Sequence, residues 1–548
     1  MKRLILLSLC SFLFLSCVTE FFFRIKPGKK ESGQAPVERY AEARPNIADR
    51  NSLTVSFYMN EIELDIRKSF LATEAQVFTA LFEGLFTYHP LTMEPMPAAI
   101  EKWKLSDDKK TWTFTLKENL RYWNGDALGS EDFREAWLSV IDPSGEAPYS
   151  SLFDIIEGAR DYRLGKTTEV SGVGIETPDK RTLVVRLTSP AAFFPSMLCH
   201  HSFSPIHPSM LKRAKWNSAP IISNGPFYIF EQSANKLVLA RNDLYWDAEN
   251  VKLKQIVIKF SENGEAAAAL WNSGEARWIS GEVNFEVIKD RSGIEVNPIF
   301  ATHYYYIRSA HEPWSNHKVR RALALALPWQ EIRSGYYLPA KTLIYPISGY
   351  PEVSGISAAD VKEARRLLTE AGFEGGAGMP MLVLRISPGR ESERIGKLMS
   401  NAWTDALGIK VKTEVVPFPK YFDSLKQDNY DVGFSTWIGD FADPYTFLQM
   451  WRRDSNLNDA RYNDSDYEQL LERSMSEDGE ERFKTLSKAE KLLLERGTVL
   501  PISYSYAVNI IDMAELEGWF RNILDIHPFK YLSYKNPEPL PGVVLLRP

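Results

Sequence analysis

Beyond residue 50 the chain alternates between two hydrophobic periods, one of two residues and one near 3.6, and that alternation most restricts its fold. "NSLTVSFYM" from Asn51 alternates like a strand, and "TEAQVFTALFEGLF" from Thr73 carries apolar residues at helical spacing. "DKKTWTFTLKENLRYWNGDAL" from Asp108 predicts a strand, then a turn at Asn124 and Gly125. A helix follows from about Ser130, with Glu131 and Asp132 placed to meet the positive end of its dipole. "RTLVVRLTSP" is a strand ended by a proline, which cannot donate to a ladder. "GPFYIFEQSANKLVLARN" reads as two strands joined by a polar turn, and "LKQIVIKF" as a third. "AADVKEARRLLTEAGF" is a helix stopped at Gly372, and "GIKVKTEVVPF" a strand. Strands that alternate with helices call for α/β lobes, in place of a bundle or a sandwich.

At 548 residues the chain is too long for one core and suits two or three lobes. Its 44% hydrophobic and 25% charged residues are those of a globular protein, and a net charge of -6 supplies no basic stripe for nucleic acid. No fixed-period repeat points to a solenoid or propeller. A P-loop is absent, and "EGGAGMP" from Glu374 lacks the preceding strand of a dinucleotide fingerprint, so it reads as a flexible loop. No nucleophile, base and orienting group can be nominated together, and the chain is expected not to be an enzyme and to need no cofactor.

The N-terminus "MKRLILLSLCSFLFLSC" has a basic start, an apolar run too short to span a bilayer, and a small residue before Cys17. It reads as a secretory signal over residues 1–16, and its end resembles the lipobox of bacterial lipoproteins, with Cys17 as the acylated residue. The polar segment over 17–50, rich in Pro and Gly, then serves as a tether, and Phe21 to Phe23 suit a membrane surface. With Cys10 removed and Cys17 acylated, only Cys199 is left, and no intramolecular disulfide can form.

Eight segments occur in one order: "LFEGLF", "AAIEKWKLSDDKKTWTFTLKENLRYWNGDALGSEDFREAWLSVIDP", "SNGPFYI", "RNDLYWDAENVKLKQIVIKF", "ALWNSGEARW", "NHKVRRALALAL", "ARRLLTEAGF" and "WIGDFADPYTFL". Together, from about Ser52 onward, they resemble the extracytoplasmic oligopeptide-binding proteins of ABC importers, in the peptide- and nickel-binding family 5 of solute-binding proteins. The resemblance implies a two-lobed, hinged α/β fold of the periplasmic-binding-protein type, class II, with an extra subdomain on the first lobe. Residues 51–84, 206–303 and 508–548 are expected to form the core of lobe 1, 85–205 the extra subdomain and 304–507 lobe 2. It further implies an exported, monomeric lipoprotein facing the periplasm or cell exterior. Its partners would be a peptide ligand, the membrane through its lipid, and permease subunits with separate ATPases.

In "WIGDFADPYTFL" the resemblance assigns Asp440 to the ligand's α-ammonium, a charge-assisted bond that aromatic neighbours would strengthen by excluding water. Without the resemblance, Asp440 reads as a turn or cap aspartate and Trp437 as core. The main chain of Thr436 and Ile438, beside Trp437, corresponds to a strand that pairs with the ligand backbone by β-augmentation. Tyr149 corresponds to a tyrosine of the cleft, Ala72 to a main-chain contact on the facing lobe, and Phe418 to an aromatic near the ligand. Asp443, before Pro444, reads as shaping the turn.

The chain also departs from the family pattern. Phe70 and Thr79 stand where relatives carry an acid and an arginine. Phe434, Leu425 and Ser392 stand where basic residues meet the ligand carboxylate, and Arg390, Arg394 and Lys426 nearby read as surface charges. Cys199, His200, His201 and His207 crowd "CHHSFSPIH", but adjacent strand histidines are expected on opposite faces, and no metal is assigned. Two rival readings remain: the same fold holding a non-peptide nutrient or metal chelate, and a surface lipoprotein for adhesion or sensing. Replacing Cys17 with serine should move the protein from the membrane fraction to the soluble one, and retention in membranes would remove the lipid anchor.

Overall fold

The computed structural model describes residues 49–536 apart from 60–61, 146, 214–215, 217–219 and 282, and at Phe418 and Pro419 only the main chain. Cys17, the signal segment and the tether up to residue 48 lie outside the described residues.

One ten-stranded sheet runs through the molecule. Its order is Val411–Val415, Leu382–Ile386, Val432–Ile438, Ile294–Ile307, Val499–Ile511, Trp278–Ser280, Ser52–Tyr58, Gln255–Ser261, Lys236–Arg241 and Phe227–Gln232. The two long strands at its centre are antiparallel, and different neighbours hold their opposite ends. Trp278–Ser280 pairs with Asn509–Ile511, whereas Val432–Ile438 pairs with Ala301–Ile307. Between these ends the register slips from Pro298 to Thr302 and again from His303 to Tyr304. Proline has no N–H for the ladder and a slipped register bends a strand, so the sheet divides here into two lobes.

In the first lobe Ser52–Tyr58 lies parallel between Gln255–Ser261 and Trp278–Ser280. The helix Gly264–Asn272 packs nearby, its first turn closed by the Asn263 side chain on the Ala266 N–H at 2.9 Å. The helix predicted from Thr73 spans Ala72–Leu81 and stops before the end of its apolar pattern. Tertiary bonds take its chain away: Gly225 N–H donates to the Leu81 carbonyl at 2.9 Å, and Asn224 Oδ1 accepts from Glu83 N–H at 3.2 Å. A Cβ on Gly225 would lie 2.5 Å from the Leu81 carbonyl carbon, so only glycine permits this approach. Phe86–Tyr88 then pairs as a strand with Pro95–Pro97.

A separate antiparallel sheet, in the order Ile100–Leu105, Thr111–Leu116, Thr182–Arg186 and Ile175–Asp179, builds the extra subdomain. The helix Ser130–Val140, starting where the sequence predicts, lies beside this sheet and buries Trp137 between Phe133, Phe153 and Phe203. In the second lobe Gly408 ends the helix Arg390–Leu407 in the left-handed region at φ 71°. The glycine-rich segment from Glu374, expected as a flexible loop, is instead a 3₁₀ turn packed on that helix end. A Cβ on Gly376 would meet the Leu407 and Gly408 carbonyls at 2.6 Å, and the glycines serve this close approach.

Contacts also cross between the extra subdomain and the second lobe. Arg160 pairs with Asp454, Arg163 donates to the Asp454 carbonyl at 3.2 Å, and Asn456 donates to Ser150 Oγ at 2.8 Å. Arg482 lies 3.9 Å from the Phe193 ring centre while its guanidinium forks onto Asp443 at 2.6 and 2.9 Å, all out of water. Removing one partner of such a pair leaves a buried charge exposed to low dielectric, at ~3–5 kcal/mol. Asp443→Ala is therefore expected to lose about that much unfolding free energy in urea, and a loss under ~1 kcal/mol would show the pair to be dispensable.

Candidate ligand-binding cleft

The strand Val432–Ile438 changes character along its length: Val432 to Phe434 are buried, Ser435 to Ile438 half-buried. Gly439 N–H donates to the Phe300 carbonyl and Arg308 N–H to the Asp431 carbonyl, both at 2.8 Å. In an antiparallel ladder these bonds recur every second residue, so Gly433, Ser435 and Trp437 turn their main-chain groups toward Ile294–Ile307. Phe434, Thr436 and Ile438 turn theirs to the other edge. There the pairing with Leu382–Ile386 ends at Leu384 and Val432. Among the described residues no strand covers the edge at Thr436 and Ile438.

Side chains hold this edge in place. Thr436 Oγ1 lies 2.5 Å from His303 Nδ1, and His303 Nε2 lies 2.6 Å from Ser505 Oγ, which ties the edge strand to both long central strands. Burial lowers His303 to about 3, so it acts as a neutral bridge. Ile438 packs with Ile299, Ala301 and Ala507. Trp437 is half-buried against the main core, and its buried Nε1 has no acceptor among the described residues.

Beyond the strand Gly439 presses on Phe300, where a Cβ would come within 2.6 Å of the ring, and Asp440 turns inward. Thr446 Oγ1 donates to its carboxylate at 2.9 Å, and the Tyr149 hydroxyl also bonds to it. His200 Nε2 stands 3.9 Å away, and the Tyr88 hydroxyl donates to the Asp440 carbonyl at 3.0 Å. Burial drives His200 well below the usual histidine range, so it is neutral. Among the described residues no arginine or lysine forms an ion pair with Asp440. Burial therefore raises its carboxyl to about 7, against the bonds from Thr446 and Tyr149. Asp443, three residues on, has Arg482, and also accepts from Tyr445 N–H at 2.8 Å within the turn.

The structure thus brings Asp440 and Tyr149 into contact and sets Thr436, Trp437 and Ile438 on the strand that leads to them. Ala72 is the exposed first residue of its helix, and Phe418 opens the helix Phe418–Leu425 with its side chain outside the described atoms. Phe70, half-exposed, meets Phe422 of that helix edge to face at 6.5 Å, so the segment before Ala72 faces the second lobe. Thr79 lines a cavity of about 40 Å³ with Phe78, Tyr88, His200 and His201, room for no more than a few waters. At the far end Phe434 and Leu425 are buried, Arg394 is bonded to Glu391 and the Glu331 carbonyl, and Lys426 to Asp459.

The expectation that His200 and His201 point to opposite faces fails. They sit at a 3₁₀ turn, not on a strand, with rings 4.0 Å apart and Tyr149 against both. His200 Nδ1 accepts from Ser202 N–H, the Cys199 thiol faces the Pro195 carbonyl, and His207 pairs with Asp126. Tyr88, His200 and Thr446 surround Asp440, and sequence reasoning placed none of them there. Only Thr446 lay near enough in sequence to be found, six residues after Asp440.

A family model described as bacterial extracellular solute-binding proteins, family 5 Middle, matches residues 94–459. The chain is similar to the oligopeptide-binding protein OppA of Bacillus subtilis, 28% identical over 81% of this chain and 85% of the relative. Among solved structures it resembles the murein tripeptide binding protein MppA of Escherichia coli at 25% identity, with TM-score 0.78 over 89% of this chain and 99% of the other. The unliganded open form of MppA, also 25% identical and covering 89% of this chain and 98% of its own, has TM-score 0.64. The chain is thus less similar to the open form of that protein than to its other structure. With the matched region holding the extra subdomain and most of the cleft, the chain belongs to family 5 of the bacterial extracellular solute-binding proteins.

Proposed function

We propose that the chain captures peptides between its lobes, as a lipid-anchored monomer that delivers them to the permease of an ABC importer. The observation that carries this reading is a buried carboxylate, Asp440, with no arginine or lysine paired to it among the described residues, at the end of a strand edge whose main-chain groups no described strand covers. A peptide offers both complements: an ammonium for the carboxylate and N–H and C=O groups for Thr436 and Ile438. The two relatives described above support it, since they are named for binding oligopeptides and a murein tripeptide. The anchor rests on Cys17 behind the signal segment, and the permease on the family resemblance.

Asp440 would also couple closure to ligand. Burial raises its carboxyl to about 7 in this empty arrangement, and water reaching it as the lobes part would bring it back toward the ordinary carboxylate range. The closed form therefore takes up a proton. It is favoured in acid and loses that advantage as pH rises from the ordinary carboxylate range through about 7. With the carboxyl ionised, desolvation disfavours the empty closure, and a ligand ammonium removes this cost. The closed fraction of ligand-free protein, followed by a pair of distance probes across the lobes, should rise as pH falls from 7 to 5. Asp440→Asn should be more closed throughout and insensitive to pH in this range. A closed fraction independent of pH in the wild type would dismiss the coupling.

Asp440→Asn should weaken peptide binding by about 100- to 1,000-fold, and N-acetylated peptides should bind worse than free ones. Unchanged affinities in calorimetry would take Asp440 out of the site. Mass spectrometry of molecules released on denaturing the purified protein should show peptides, and a single non-peptide species or a metal would replace this function.

A further inference from the structure

The open edge of Val432–Ile438 ends abruptly at Phe434, and one side chain ends it. Tyr421, fully buried on the helix Phe418–Leu425, places its hydroxyl in the fork where Leu382–Ile386 and Val432–Ile438 splay apart. That oxygen accepts from the Phe434 N–H at 3.0 Å and donates to the Phe434 carbonyl at 3.0 Å, with the Arg385 carbonyl at 3.4 Å. One hydroxyl thus satisfies both main-chain groups that a paired strand residue would satisfy. Thr436 and Ile438, on the same edge, have no such substitute among the described residues.

We infer that Tyr421 is a register stop that limits main-chain recognition to the first three residues of a peptide ligand; the inference rests on the peptide reading above. An ammonium at Asp440 makes the ligand run antiparallel to the strand, from Asp440 toward Phe434. Its first residue then lies opposite Ile438, its third opposite Thr436 and its fifth opposite Phe434, because bonded pairs recur every two residues. The first two rungs are open and the third is taken by Tyr421. The cleft therefore gains main-chain affinity up to three residues and none from the fourth and fifth, which sets the ligand class as peptides of three residues or more whose tails are not read through their backbone.

The test uses the intact protein and C-terminally amidated alanine-rich peptides, which keep that end uncharged. In the wild type, N-methylation of a pentapeptide at its third residue should weaken binding about tenfold, and at its fifth less than about twofold. In Tyr421→Phe, which removes the hydroxyl from both main-chain groups of Phe434, the affinity ratio of pentapeptide to tripeptide should rise about tenfold, and the fifth-residue methyl should become costly. Faster hydrogen exchange at the Phe434 amide would show the substituted chain folded with its rung released. A wild-type loss at the fifth residue equal to that at the third would overturn the stop even if the variant failed to fold. An unchanged length ratio in a folded variant would overturn it too. Binding of no peptide of any length would instead defeat the peptide reading, and the register stop with it.

Discussion

The antiparallel pair Ile294–Ile307 and Val499–Ile511 belongs to both lobes, and the other eight strands of the main sheet attach to one end of it or the other. Its register slips near Pro298 and His303 separate those ends, so the lobes share a backbone without sharing a continuous ladder. Such a joint is stiff along the strands and yields at the slip. His303 spans it, bonded to Ser505 on one long strand and to Thr436 on the cleft edge. The half-buried edge is therefore held by the element that would bend when the lobes move.

Two aspartates three residues apart have opposite fates. Asp443 is neutralised by Arg482 and helps define the turn after the strand. Asp440 is buried among Tyr149, His200 and Thr446, which supply hydrogen bonds or contact but no positive charge. A protein stores free energy in such an arrangement, and release of that energy by a ligand cation is a physical route from binding to closure. The two groups thus divide the work of one short stretch, one holding the fold and the other leaving a charge unmet.

Much of the architecture was legible because its signals are local. Alternating apolar residues marked the strands from Ser52 and from Gly225, Asn124 and Gly125 marked a turn, and Gly372 closed a helix. Asp440 stood out because an acid among aromatics needs a reason, and its motif supplied one. Local reading failed where distant chain intervened. The helix from Ala72 ended early because Asn224 and Gly225 took its last polar groups, and the Glu374 segment packed because Gly408 came close.

The sequence by itself determined the alternation of elements and singled out Asp440 as a candidate, since periodicity and a compact motif are properties of neighbouring residues. Only the tertiary structure decided that Asp440 meets no arginine or lysine among the described residues, that His200 and His201 meet Tyr149 edge to face, and that Tyr421 closes the edge at Phe434. Charge balance, burial and hydrogen-bond satisfaction depend on which distant residues share a volume. Tyr88 and Tyr149 come to Asp440 from hundreds of residues away, and no pattern along the chain records that meeting.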